Sequence, residues 1–441
     1  MIWAEKTYAG WGRVRQADGR LARPEKAAAL GAILSAEPQP LAAIGGLRSY
    51  GDAALNGAGP GVLMTRLDRI LDFDEATGEV EVEAGITLRA LIDVFAARGW
   101  MPAVVPGTGH ATVGGAIAND VHGKNHHQAG SFAQHVREIE LLGVDGSLRR
   151  ITAERDPDAF RATAGGVGLT GIIRAARLQL AACPGEVMEV EEHRIPDLDA
   201  FMEALEGSNH PFTVGWIDAT ARGADLGRGI LEEADFARAP GKARPAGRGP
   251  KIPLDAPGFL LSRPIVRLFN RAYFARVPAA GRVRQRHLTK FLFPLDSLRD
   301  WNRLYGKRGF HQFQCVLPQA AVDTLQGILE AVSEAGLASP LAVLKKLGPG
   351  RAGMLSFPME GWTLAVDFPN RATAAPLIAR LEEMTQAAGG RIYLAKDALS
   401  RPEAVAAMYP ELPAFRTVLA ELDPDARFQT DLARRLALRG A

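Results

Sequence analysis

Apolar and polar residues alternate strictly over 79–84 (EVEVEA), the period of a half-buried strand. The period then changes. Leu88, Leu91, Ile92 and Phe95 recur at helical spacing, with Thr87 placed to cap the first turn and Gly99 to stop the chain. Upstream, 24–35 (PEKAAALGAILS) reads as a helix, and LAAIGG (41–46) and GVLMT (61–65) as short buried strands, an α/β alternation. Downstream, 139–152 (IELLGVDGSLRRIT) predicts a hairpin turning at Asp145-Gly146. Residues 157–164 read as helix, and 165–180 as a glycine turn running into a strand.

Cys183-Pro184-Gly185 then punctuates the chain, and the glycine-rich character fades. GWIDA (215–219) lies in a new α+β region. Strands are expected at 312–317 and 363–368, and helices at 319–336 and 374–388, a second sheet with helices on one face. The Gly, Ala, Pro and Arg content of 221–256 predicts a mobile loop. The tail from Arg391 holds YLAKD, a strand ending at Lys396 where side chains often reach a cleft, and closes on a basic helix, DLARRLALRG.

Composition narrows the class. The 441 residues suffice for two or three domains, and a net charge of +2 does not demand nucleic acid. Two distant cysteines, Cys183 and Cys315, exclude a disulfide scaffold. The N-terminal stretch lacks an apolar signal region, and no apolar run reaches the ~18 residues of a membrane span. A cytoplasmic or peripherally membrane-associated protein is expected. From Ala256 to Leu295 there is no acidic residue, but seven arginines and one lysine. Arg263, Arg267 and Arg271 recur at helical spacing among Leu260, Leu261, Ile265, Leu268, Phe269, Tyr273 and Phe274. Such a basic amphipathic surface suits an anionic bilayer or a phosphate-bearing lipid.

The densest chemistry lies in Pro106–Phe132, PGTGHATVGGAIANDVHGKNHHQAGSF, with six glycines in twenty-seven residues. Bare backbone and small polar side chains at this density suit a chain running against a large ligand. Gly166-x-Gly168-x-x-Gly171 matches the dinucleotide fingerprint formally, but strand-like IIRAARLQL follows where that motif needs a helix. A tight turn is the expected reading. His122, His126 and His127 lack the carboxylate and thiolate company of a metal site apart from Asp120, so no metal is expected.

The glycine stretch, with IGGLRSYGDAALNG (44–57) and GGVGLTGII (165–173), resembles the FAD-binding domain of the vanillyl-alcohol-oxidase type. YAGWGR, GWIDA, WNRLYGKRGFHQFQCVLP, LKKLGPG, LSFPMEGWTLAVDFP, RIYLAKD and FQTDLARRL follow in order over nearly the whole chain. They resemble the polyprenyl-phosphoryl-ribose 2-oxidase family within that superfamily. The resemblance implies an α+β fold: an FAD-binding domain of two subdomains over 1–185, a substrate domain with a helix-covered antiparallel sheet over 186–390, and a segment 391–441 completing the first. It implies non-covalent FAD, because Arg48 stands where many relatives attach the flavin through histidine. The cofactor would be held by Gly45, Gly46, Leu47, Arg48, Ser49 and Tyr50, by Gly107, Thr108, Thr112, Gly114 and Gly115, and by Asn119, His122, Gly123 and Lys124, with Ile172 near the adenine and Lys396 at the ring.

Lys124, Trp216, Gln314, Lys345 and Ala365 would meet substrate. Some members carry cysteine at the Ala365 position, so a thiol there is dispensable if this chain is active. Lys396 is the candidate cation beside flavin N1, and His122 or Tyr50 the proton acceptor. The implied reaction is oxidation of the ribose 2-hydroxyl of a polyprenyl-phosphoryl ribose. A separate NAD(P)H-dependent keto-reductase would complete epimerisation to arabinose for cell-envelope polysaccharide. Val121, bulky beside His122, favours a quinone over oxygen as acceptor. The alternatives are an alditol or aldonolactone oxidase acting on free sugars, and a flavin-binding protein without turnover.

Overall fold

Three sheets carry the chain in a computed structural model that describes residues 3–241, 243–245, 247, 249–337 and 340–440. The first contains β1 (Ala4–Ala9), β2 (Gln16–Ala22), β3 (Ala42–Ile44) and β4 (Gly61–Leu63), ordered β1-β2-β4-β3. β2 and β3 run parallel to β4. The helix expected over 24–35 occupies Ala29–Ala36 instead. None of the side chains of 24–28 (PEKAA) is a good cap, and the chain there makes only tighter turns, Ala29 N–H to Lys26 O and Leu30 N–H to Ala27 O, both 3.0 Å.

The second sheet contains β5 (Ile70–Asp74), β6 (Glu79–Glu83), β7 (Trp100–Pro102), β8 (Val136–Leu142), β9 (Leu148–Ile151) and β10 (Ile172–Ala182). Its order is β5-β6-β10-β8-β9, with β7 also pairing β10. The Leu88–Phe95 helix covers it. Thr87 Oγ1 accepts from the Ala90 N–H at 3.2 Å, and Leu88, Leu91, Ile92 and Phe95 are all buried. Burial of side chains of this size stabilises by about 1.5–3 kcal/mol each. Gly171 passes directly into β10, so the formal GxGxxG leads into a strand and not a helix.

The third sheet contains β11 (Val187–Ile195), β12 (Phe212–Ile217), β13 (Gly229–Phe236), β14 (Arg282–His287), β15 (Phe310–Leu317), β16 (Ala342–Leu347), β17 (Gly361–Pro369) and β18 (Arg391–Ile392). The order is β14-β11-β13-β12-β16-β17-β15-β18, antiparallel throughout. β13 corrects the loop expected over 221–256. Gly- and Pro-rich flanks diluted an eight-residue strand, GILEEADF, whose two neighbours lie elsewhere in the sequence. Residues 242, 246 and 248 of that stretch lie outside the described residues.

Strand alternation gives this sheet two faces. Phe313, Cys315, Leu344, Leu364 and Val366 point to a core shared with helices Leu198–Gly207, Val322–Ala335 and Ala374–Ala387. Gln312, Gln314, Val343, Lys345, Thr363 and Ala365 point the other way, into a cavity. The C-terminal segment touches both halves of the molecule. β18 extends the third sheet, while Leu41 N–H donates to Arg427 O at 2.8 Å and Arg435 pairs with Asp52 at 2.7 Å. The strand expected to end at Lys396 stops at Ile392. Lys396 sits in a turn, its N–H bonded to Tyr393 O at 2.9 Å. Among the described residues no helix is long and apolar enough to cross a membrane.

Candidate active site

A cavity of about 640 Å³ is bounded on one side by glycine-rich loops and on the other by the polar face of the third sheet. That volume falls in the ~300–1,000 Å³ range of small-molecule and cofactor sites.

The loop wall is mostly backbone. Residues 45–50 and 107–124 cross so closely that a Cβ on Gly45 would lie 2.3 Å from Thr112 Oγ1, and one on Gly46 2.3 Å from His110 O. Between them Leu47 adopts a left-handed φ of 51°, which costs a non-glycine residue stability and re-aims the loop. Thr112 caps the Val113–Ala118 turn through the Gly115 N–H at 3.2 Å. Thr108 is already engaged: its hydroxyl donates to Asp296 at 2.8 Å, and the Gly109 N–H donates to the same carboxylate at 2.7 Å. The Arg48 guanidinium lies 4.2 Å over the Trp11 ring.

The loop continues to His122 through Asp120, a buried carboxylate with φ 37°. It accepts from the N–H groups of Ala133 (3.0 Å) and Ala352 (3.1 Å) and from the Ser356 hydroxyl. These bonds hold the backbone turn that aims Asn119 and His122. The His122 ring lies 5.4 Å from both Phe357 and Tyr393, and its Nε2 is 3.1 Å from the Gln314 amide nitrogen. Burial, reinforced by Lys345, His126 and Lys396, holds its pKa well below the usual imidazole range, so the ring is neutral.

The sheet wall is built of side chains. Register sets Trp216 opposite Val343, Val343 opposite Ala365 and Ala365 opposite Gln314, one row across four strands. Lys345 opposite Thr363 begins the next. Lys345 is lowered to about 8 by burial and by Lys124. Burial lowers Lys124 to about 8; its ammonium donates to Phe291 O and lies 3.9 Å over the Phe291 ring. Lys396 lies 3.6 Å over the Tyr50 ring. Burial brings it to about 7, against an upward pull from Asp367 and with a further downward push from Lys345. Tyr50 is pushed well above the usual phenol range by burial, so it stays protonated.

All the residues expected at the site line this cavity except Ile172. Ile172 packs into the core with Leu142 and Phe428, and its neighbours Gly171 and Ile173 face the cavity instead. Alternation along β10 is the reason. Asp367 was missed. It is buried, held by Gln312 (2.6 Å) and Tyr305 (2.9 Å), and burial raises its carboxyl to about 7. Period two along β17 from Thr363 and Ala365 was the available signal. Tyr393, whose hydroxyl donates to Asn119 O at 3.2 Å, was also missed, as were Tyr273 and Arg276 at the far end of the cavity.

The basic segment needs correction. Arg276, Arg282, Arg284 and Arg286 converge on Glu192, a buried carboxylate, with Arg276 at 2.8 Å and Arg284 at 3.1 Å. Arg263, Arg267 and Arg271, on that segment's helix, stand exposed instead. His126 and His127 are occupied with backbone at 348 and 210.

Three buried polar atoms of the cavity residues, Arg48 Nε, Asn119 Oδ1 and His122 Nδ1, have no partner within the described protein. With three half-buried lysines and a wall of close-set glycines, they fit a large polar ligand bearing negative charge.

Residues 20–152 match the family model described as FAD binding domain. The chain is 38% identical to the decaprenylphosphoryl-beta-D-ribose oxidase of Mycolicibacterium smegmatis over 89% of its own length and 88% of that protein's. It is 38% identical to an uncharacterized protein of Streptomyces coelicolor over 80% of this chain and 100% of that one. A Streptomyces alditol oxidase is 25% identical over 86% of each.

Proposed function

The chain belongs to the decaprenylphosphoryl-β-D-ribose oxidase family of FAD-dependent oxidoreductases, and from that premise we propose that it oxidises the 2-hydroxyl of a polyprenyl-phosphoryl-β-D-ribose to the 2-keto sugar. One observation carries the choice of substrate. Lys124, Lys345 and Lys396, all half-buried, line one cavity; the charge of Lys124 lowers the Lys345 pKa, and that of Lys345 lowers the Lys396 pKa. Ammonium groups gathered at one cavity favour an anion there, and a sugar phosphate supplies it. A free alditol does not.

Bound FAD supplies the hydride acceptor for the substrate C2 hydrogen. The protein supplies the rest. The glycine loops at 45–50 and 107–115 would hold the cofactor's diphosphate through backbone N–H groups, and non-covalently, since the Arg48 guanidinium is no nucleophile. Lys396 would present its charge at the flavin ring. Lys124 and Lys345 hold the substrate phosphate, and Trp216, Gln314 and Ala365 pack along the sugar. His122, whose Nδ1 has no partner in the described protein, would take the 2-hydroxyl proton. Gln314 sets which imidazole nitrogen carries the proton: with its amide nitrogen toward Nε2, the proton stands on Nδ1. Turning that amide over moves it to Nε2 and frees Nδ1 to take the hydroxyl proton as the C–H bond breaks. Tyr50, protonated, supports Lys396 by its ring face.

Residues 1–185 and 391–441 form the cofactor unit in this reading, and 186–390 the substrate unit. The keto product passes to a separate NAD(P)H-dependent reductase, which completes conversion to the arabinose epimer for cell-envelope polysaccharide. Val121, buried at the cavity, favours a quinone over oxygen as the final acceptor. The exposed Arg263, Arg267 and Arg271 with Ile265, Leu268 and Phe269 give peripheral contact with an anionic membrane.

Trapping the product with borodeuteride tests the reaction. Deuterium at C2, with ribose and arabinose both recovered, is the expected result. Label at any other carbon contradicts it.

A further inference from the structure

The helix Arg263–Ala275 has an exposed apolar face: Leu268 is 71% and Phe269 48% accessible, with Phe259 (65%) just before it. Contiguous exposed apolar surface of this kind marks a binding surface. This face does not stop at the helix. Phe269 stacks on Tyr273 with ring centroids 5.9 Å apart and planes at 18°. Tyr273 packs on Trp216 at 4.7 Å. Both Tyr273 and Trp216 line the cavity, and Trp216 begins the row that runs through Val343 and Ala365 to Gln314 beside His122. Three rings therefore step from the sugar end of the site to the exterior.

The inner steps are fixed. Trp216 Nε1 donates to Pro340 O at 2.7 Å, and the Tyr273 hydroxyl accepts from Arg276 at 3.1 Å while that guanidinium covers its ring at 4.2 Å. The polar edges of both rings are satisfied by protein, and both residues, half-buried, keep part of their surface on the cavity. A ligand matching this track is long and apolar and carries an anion at its inner end, where Lys124 and Lys345 lie. We propose that the Trp216–Tyr273–Phe269 steps carry the isoprenoid chain of the substrate out of the cavity and onto the Arg263–Ala275 helix. The inference rests on the polyprenyl-phosphoryl-ribose reading above. The occupant is the substrate's own tail and not a bilayer acyl chain, because the track continues inward to the row that holds the sugar.

The test compares a long-chain phosphoryl ribose with one bearing two isoprene units, scoring kcat/KM by anaerobic flavin reduction in wild type, Phe269→Asp and Phe269→Leu. Wild type should prefer the long chain by about ten-fold or more, the worth of one large apolar contact. Phe269→Asp should erase the preference, and Phe269→Leu should keep most of it. A preference that survives in Phe269→Asp overturns the proposal, even if that variant binds anionic vesicles less well, since the face then serves the bilayer alone. Equal losses for both chain lengths also overturn it, as the mark of a structural role. If neither compound reduces the wild-type flavin but a free polyol does, the substrate reading has failed and the tail path falls with it.

Discussion

The two walls of the cavity are made differently. The loop wall presents backbone, brought close because Gly45 and Gly46 have no side chains to separate them from Thr112 and His110. The sheet wall presents side chains, placed in a row by antiparallel register between strands far apart in sequence. A backbone wall suits a ligand that never changes, and a side-chain wall suits the part that reacts. The difference predicts that damage to the first removes the cofactor, while damage to the second leaves a yellow but impaired protein.

The largest effect is expected from Gly45→Val, whose side chain would enter the 2.3 Å approach to Thr112 Oγ1. The purified variant should lack the flavin absorbance band; full occupancy would refute the close-contact account. Lys396→Ala should keep the flavin and slow its reduction on the order of 100–1,000-fold, the scale of losing one charge-stabilising group. Stopped-flow rates near wild type would remove this lysine from the chemistry.

Lys345→Ala should raise KM for a phosphorylated substrate on the order of ten- to a hundredfold, the worth of one hydrogen bond to a charged group. Its effect on turnover of any free polyol should be far smaller. Equal effects on both would break the phosphate assignment.

Asp367→Asn tests a subtler link. The Asp367 carboxylate raises the Lys396 pKa, so its removal lowers it further below the ordinary lysine value. Activity that needs protonated Lys396 is present below that pKa and lost as pH rises through it. The alkaline limb of the reduction-rate profile should therefore move to lower pH. A limb that stays in place, or moves up, contradicts the coupling. The smallest effect belongs to Ala365→Cys, which should change the reduction rate by no more than about twofold, as for a substitution that leaves no buried group unpaired.

The same contrast explains what the sequence made legible. The loop wall is local, so its glycines and small polar residues stand together in the chain and could be read directly. The sheet wall depends on Trp216, Val343, Ala365 and Gln314 meeting across strands, which no local pattern records. Family resemblance supplied Trp216, Ala365 and Gln314 but not Val343; Asp367 was missed although it lies in the quoted LSFPMEGWTLAVDFP and its strand period pointed to it. The basic segment misled for a related reason. Its arginines at 276, 282, 284 and 286 are answered by Glu192, on the neighbouring strand but some ninety residues away in sequence. Local charge counting could not see that partner. Ile172 was misplaced by one residue, enough in a strand to turn a side chain from cavity to core.

Anaerobic mixing of the yellow protein with a polyprenyl-phosphoryl ribose tests the central claim most directly. The account predicts rapid bleaching of the flavin band by that lipid and little by free alditols. A flavin that a free polyol bleaches while the phosphoryl ribose leaves it oxidised would contradict it.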